Sequence, residues 1–394
     1  MPPLTGKGIN TFAVLTARCF FIAEATFCSA KNLMEKETFD AWRKDYDANG
    51  QHISLVMPER NNSMEETALN LEMEIFPSPL GRVYVEAYDL AHIKEFIMPL
   101  CKEALEAHKG MINSCEWLSD ATKKKLLEKL DAVTIKAVYP DVWEDYSNLD
   151  LEGLDYYEAR KAIWLDEITR NASYTGSALD LRMWDAPALI NGAGAYDATT
   201  NSFYAEACYF EDEVRRYEAG EITYEELLGG KTGYILFHEL GHALDTGNIY
   251  MDENGQYVEE SLLTSDELEE FNRRAGKITS YLDGISIWEG QQVPGKICMN
   301  EALAEICGMR ARLIYASKLD NFDYKKFFET RTQLSRTLHT PEYELMYVLG
   351  MDSHPSSYLD INVTVQQFDE FMETYNVKEG DNMYLAPKDR LILW

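Results

Sequence analysis

Two histidines four residues apart, His238 and His242, stand in the stretch GYILFHELGHALDTG with Glu239 beside the first. On an α-helix, residues i and i+4 lie one turn apart on the same face, so both imidazoles can address one ion. Glu239 falls about 100° round the helix from His238, close to such an ion without being aimed at it. A carboxylate there suits the removal of a proton from an attacking water. A solvated helix that happened to carry two His and one Glu would show the same letters. The neighbours argue against that reading, because Tyr234, Ile235, Leu236 and Phe237 precede the motif. They mark an apolar, buried helix, and buried imidazoles need partners.

A catalytic zinc site takes three protein ligands and leaves a fourth position open. The arrangement with a third histidine six residues past the second is excluded, because Asp245 and Asn248 stand where it requires Gly and His. What remains is a carboxylate from a later helix. MNEALAEICGMRARL, residues 299–313, offers Glu301 and Glu305 one turn apart among Ala302, Leu303, Ala304, Ile306 and Cys307. Two Glu at this spacing usually form a solvated face. In so apolar a segment, beside the histidine pair, Glu301 reads as the third ligand and Glu305 as acceptor for the ring N–H of one histidine. Asp245 can accept from the other, and such outer carboxylates fix ligand tautomer and orientation.

The elements that must hold these residues can be read more coarsely. A chain of 394 residues with 46% hydrophobic and 12% aromatic residues is folded and large enough for two or three packed units. Its net charge of -30 speaks against nucleic acid, which needs clustered Lys and Arg. Seven cysteines without a CxxC pair suggest neither a disulfide framework nor a thiolate zinc site. They point to a reducing compartment, the cytoplasm, with secretion as the alternative. The apolar run at 8–23 is interrupted by Arg18 and is too short to span a bilayer, so no stable membrane insertion is expected. Oligomeric state is not encoded in any of these features.

Helical spacing covers residues 86–109, 119–137, 151–171, 229–245, 265–282, 298–317, 322–338 and 365–375, with Ser119 or Asp120 as a cap for the second. FPSPLGR, residues 76–82, reads as a Pro/Gly break. Residues 187–210 read as a hairpin or a pair of strands. The fold class is therefore mostly α with a small β element just before the histidine helix. The expected organisation is a divergent N-terminal segment over 1–80, a helical linker or lid region over 81–180 and a catalytic domain over 181–394.

FHELGHALD, NEALAEICG and the closing segment DSHPSSYLDINVTVQQFDEFMETYNVKEGDNMYLAPKDRLILW together resemble the neprilysin and endothelin-converting-enzyme family of zinc metallopeptidases. The likeness runs from about residue 80 to the end. It implies a thermolysin-like zincin catalytic lobe facing a helical lid lobe, here only partial, around a cavity that admits short peptides. The implied activity is zinc-dependent hydrolysis of oligopeptides by an activated water with Glu239 as general base. The resemblance also implies that His354 stabilises the oxyanion, and that Asn191, Ala193 and Tyr196 lie where the family's edge strand grips the substrate backbone.

Departures accompany the likeness. Ala193 and Gly194 stand where the family carries an Asn-Ala pair, so Asn191 substitutes only if its loop shifts. Glu305 replaces the usual Asp. Asp360 stands where the family has an arginine that grips a substrate carbonyl, and an ionised carboxylate cannot donate. Much of the lid expected before residue 80 is absent or replaced. The alternative is therefore a zinc-binding but non-proteolytic or truncated relative with a binding or structural role.

Overall fold

A computed structural model describes residues 75–394 except 179, 185–188, 190–193, 287–289, 291 and 337–352. Thr67–Trp394 form one compact unit. In chain order the described helices begin with α1 (Pro77–Tyr88), α2 (Ala91–Ser114) and α3 (Asp120–Asp131). Strand β1 (Thr134–Val138) and helix α4 (Tyr156–Ser173) follow, then the hairpin β2 (Gly194–Asp197) and β3 (Ser202–Glu206). The rest is helical: α5 (Glu211–Glu218), α6 (Tyr224–Gly229), α7 (Lys231–His242), α8 (Ser265–Asp283), α9 (Gly295–Ala316), α10 (Tyr324–Leu334), α11 (Ser357–Val365) and α12 (Asp369–Tyr375). The mostly helical fold with a small β element is as the sequence leads one to expect. Among the described residues no helix is long and apolar enough to cross a membrane.

Local chemistry sets many of the helix starts. Ser119 caps α3 by accepting from the Thr122 N–H at 3.3 Å. Reciprocal capping boxes open α4 at Asp155 and Glu158, α6 at Thr223 and Glu226, and α8 at Thr264 and Glu267. In each the capping side chain and the N3 glutamate satisfy one another's backbone N–H groups.

Two of the departures from the expected pattern show their causes directly. FPSPLGR is not a break: Pro77 occupies the first helical position of α1, where a missing N–H costs nothing and the fixed φ is already helical. The helix expected over 119–137 stops at Asp131, and its last part is β1. Val133, Thr134, Ile135 and Val138 are β-branched and suit a pleated, half-buried surface. Their pairing partner settles the matter. β1 runs parallel to β3, from Thr134 opposite Ser202 to Val138 opposite Glu206. β2 lies antiparallel on the other side of β3, giving the order β1-β3-β2. The 187–210 region therefore does hold a hairpin, and its strand β2 forms an edge of the described sheet.

Helix α9 is buried on nearly every side and packs against α7, α8, α2 and α11. Its contact with α7 is the most extensive between the described elements and depends on two glycines, one on each helix, each lying against the backbone of the other helix. A Cβ on Gly241 would lie 2.6 Å from the Ala304 carbonyl oxygen, and one on Gly308 would lie 2.9 Å from the His238 nitrogen. Both distances are shorter than atoms tolerate, so the backbones of the two helices meet without intervening side chains. That proximity puts the histidines of α7 within reach of the acidic residues of α9.

Helix α2 also packs on α7, and its His108 is fully buried and stacks on Phe237, ring centroids 6.1 Å apart. Burial pushes its imidazole down to about 4, and the hydrogen bond its Nδ1 donates to the Ala104 carbonyl at 2.8 Å only partly opposes this. The folded value lies below the unfolded one near 6.5. Between the two the unfolded chain therefore binds the proton more readily, and stability falls as pH drops through that window. The loss reaches at most about 3 kcal/mol. His108→Leu is expected to narrow the fall in melting temperature between pH 7 and pH 4.5, read by calorimetry. An equal fall in both proteins would count against the assignment.

Candidate metal centre

Helix α7 starts at Gly230, which has no side chain to cap it. The cap comes from α5: Glu213 accepts from the Lys231 N–H at 2.8 Å and the Thr232 N–H at 2.7 Å. A carboxylate there also opposes the positive end of the helix dipole. The helix ends at His242, three residues short of the expected end, and Asp245 lies in the turn beyond it. That turn is pinned. Asp245 Oδ1 accepts from the Gly247 and Asn248 N–H groups, both at 2.9 Å, and Asn248 Nδ2 donates to the His242 carbonyl at 2.8 Å.

His238, His242 and Glu301 come together, with one ligand atom from each lying within 4.8 Å of the others. His238 Nε2 stands 3.4 Å from Glu301 Oε2, and His242 Nε2 stands 3.1 Å from the same oxygen. Donor atoms about 2.0–2.1 Å from a tetrahedral zinc lie about 3.3 Å from one another, so the observed spacing fits such an ion. The far nitrogens are also occupied. His238 Nδ1 donates to Glu305 Oε2 at 3.2 Å, and His242 Nδ1 donates to Asp245 Oδ2 at 3.2 Å. A carboxylate on Nδ1 leaves the Nε2 lone pair for a cation. The donor set therefore fits zinc.

Electrostatics point the same way. Burial alone would lower both histidines, yet Glu301 and Glu305 lift His238 to about 10, while Asp245 and Glu301 lift His242 to about 9. Burial would raise Glu301, but its imidazole partners outweigh this and hold it well below the usual carboxylate range. The cluster thus demands positive charge. Protons and a divalent cation compete for the same imidazole lone pairs.

The other expected site residues fall in different places. Glu239 lies on α7 beside His238 and is 9% exposed. His354 reaches the cluster from its open side: its Nε2 is 3.2 Å from Glu301 Oε2, and its side chain is 51% exposed. Tyr196 is on β2, but its hydroxyl donates to Asn201 Oδ1 at 2.6 Å. Burial, followed by Asp245 and Asp197, raises its phenol. Asn191 and Ala193 lie outside the described residues. Asp360, read as a loss of substrate grip, is held by the Arg331 guanidinium.

Arg331, Arg312 and Tyr234 escape a reading based on motifs. Arg331 and Arg312 are buried, and both donate to Glu305 Oε1. Tyr234 stacks on His238 with ring centroids 5.0 Å apart. One signal was available: Arg331 lies one turn after Phe327 on α10, and Arg312 stands between Ala311 and Leu313 in the mostly buried second half of α9. A charge on a buried face needs a buried partner.

Two family models match the chain, each described as peptidase family M13, one over residues 221–391 and an N-terminal one over 29–140. A neutral endopeptidase of Lactococcus lactis subsp. lactis is 29% identical over 354 residues, covering 88% of this chain and 54% of the relative. Neprilysin of Mus musculus is 23% identical over 345 residues, covering 80% of this chain and 44% of its own length. Among solved structures, PEPO from Lactobacillus rhamnosis superimposes with a TM-score of 0.72 at 27% identity, covering 84% of this chain and 51% of that one. The chain spans about half the length of the relatives it matches, 54% in the Lactococcus case.

Proposed function

Because this chain belongs to peptidase family M13, we propose that it is a zinc-dependent endopeptidase of short peptides, with the ion held by His238, His242 and Glu301. Zinc, when bound, supplies Lewis acidity and makes a water a far stronger acid at neutral pH. The remaining work falls to side chains of this protein. Glu239 takes the proton from the attacking water and returns it to the leaving amine. Its position on a buried helix, one residue from His238, keeps that carboxylate close to the reacting atoms and largely out of bulk water.

His354 donates to the oxygen that gains charge as the carbonyl is attacked. Its place on the exposed side of Glu301 suits a group that meets substrate arriving from solvent. Strand β2 lies at the edge of the described sheet. An extended peptide can add to such an edge through backbone hydrogen bonds, with Tyr196 on that strand and Asn191 and Ala193 shortly before it in the sequence.

The observation that carries this reading is the convergence of two imidazole nitrogens and one carboxylate oxygen within 4.8 Å, each imidazole backed by its own acid. A zinc-binding but non-proteolytic relative is the competing reading, with Asp360 and Ala193 among its supports. The Asp360 carboxylate is engaged by Arg331. The test is digestion of a short-peptide library by the zinc-loaded protein, read by mass spectrometry. Defined cleavage sites that vanish on chelation and return with zinc are expected. Stoichiometric zinc with no cleavage of any peptide would transfer the chain to the competing reading.

A further inference from the structure

Glu305 is fully buried, and its two oxygens do different work. Oε1 accepts from Arg312 Nη2 at 2.9 Å, from Arg331 Nη2 at 3.1 Å and from Arg331 Nε at 3.2 Å. Oε2 is left to His238 Nδ1 at 3.2 Å. Arg331 is itself fixed from several directions. It donates to Asp360 Oδ2 and Ser335 Oγ, and its guanidinium lies 4.5 Å from the Tyr234 ring centroid. Tyr234 in turn stacks nearly parallel to the His238 ring, at 25° and 5.0 Å.

We infer that Arg331 is a positioning residue for His238, acting through the Glu305 hydrogen bond and the Tyr234 stack, with Asp360 as the acid that holds its guanidinium in place. This rests on the reading of His238 as a zinc ligand. The geometry allows few other roles. Arg331 is only 2% exposed, so it does not touch substrate. Its planar fork spans Glu305 and Asp360 at once, which a lysine ammonium cannot reproduce. Two guanidinia on Oε1 also fix the rotation of the Glu305 carboxylate, so that Oε2 faces Nδ1 and the opposite nitrogen of His238 faces Glu301. The acid at 360 and the arginine at 331 thus operate as a pair. The negative charge contributed by α11 is matched by a positive one from α10.

The test uses the full chain and the ions Zn(II) and Co(II) alone. Zinc affinity is measured by competition with a chromophoric chelator, the Co(II) absorption spectrum reports ligand geometry, and apo-protein melting reports folding. The double variant Arg331→Met/Asp360→Asn removes both charges together and so leaves no unpaired buried acid at 360. It is expected to bind zinc about 10- to 100-fold more weakly and to shift the Co(II) bands. Arg331→Lys keeps the charge without the fork, so it is expected to lose affinity in the same direction by less. Arg170→Met, which breaks the ion pairs with Glu144 and Asp166, is expected to lower the melting temperature and leave affinity and spectrum alone.

Unchanged affinity and spectrum in a folded double variant would overturn the inference. If the double variant does not fold, an unchanged Arg331→Lys protein would do the same. A wild-type protein that takes up no zinc would instead refute the metal reading itself.

Discussion

Glu239→Gln is expected to lower kcat/KM for any cleaved peptide by about 10²- to 10⁴-fold while zinc still binds. The two effects separate because Glu239 is not among the three converging ligands and glutamine has nearly the same volume. At 9% exposure the site has little slack for a change of shape, and an amide introduces none. What the amide cannot do is accept a proton at neutral pH. The loss should therefore appear in kcat, with zinc affinity and melting temperature held near wild type. Steady-state kinetics on a library-derived peptide, with metal content measured on the same sample, decides it. Cleavage retained within a factor of ten would move the general base elsewhere, with His354 the next group to test.

The parts of this site legible in the sequence were those whose geometry is encoded along one helix. The i,i+4 spacing of His238 and His242 fixes a shared face whatever the tertiary structure. Glu301 and Glu305 carry the same information on a second helix, and the apolar letters round them marked that helix as packed into the core rather than solvated. The meeting of the two helices was not encoded so directly. It depends on Gly241 lying against Ala304 and on Gly308 lying against Phe237 and His238, and neither glycine announces its partner.

Residues whose role comes from a distant element stayed hidden. Arg331 reaches Asp360 and Glu305 across three helices, and nothing local to FFETRTQLSR names those partners. The same limit accounts for β1, whose residues fit a helix by period and become a strand only because β3 is alongside. It accounts as well for α11. SYLDINVTV alternates and is rich in β-branched residues, yet it forms a helix packed on α9, tertiary burial overriding a strand-like local preference.

Glu301→Gln is expected to reduce zinc affinity by more than the roughly 10- to 100-fold that loss of an outer hydrogen-bond partner costs. The exchange is isosteric, so the effect is that of the charge and the ligand oxygen. Glu301 is the only acid among the three converging residues, and its Oε2 meets both imidazoles at 3.1 and 3.4 Å. The backbone cannot adjust to offer a substitute. The close passage of α7 against α9 fixes the distance between the helices, and Glu305 is already occupied by His238, Arg312 and Arg331. A ligand that binds only the folded state also stabilises it, by about 2.7 kcal/mol at 100-fold excess over Kd. Adding zinc should therefore raise the melting temperature of the wild type and scarcely move that of Glu301→Gln. Chelator competition gives the affinity directly, and melting with and without zinc gives the linked stability. Equal affinity and an equal zinc-induced shift in the two proteins would mean that the ion is held by other groups, and the catalytic assignment of Glu239 would fall with it.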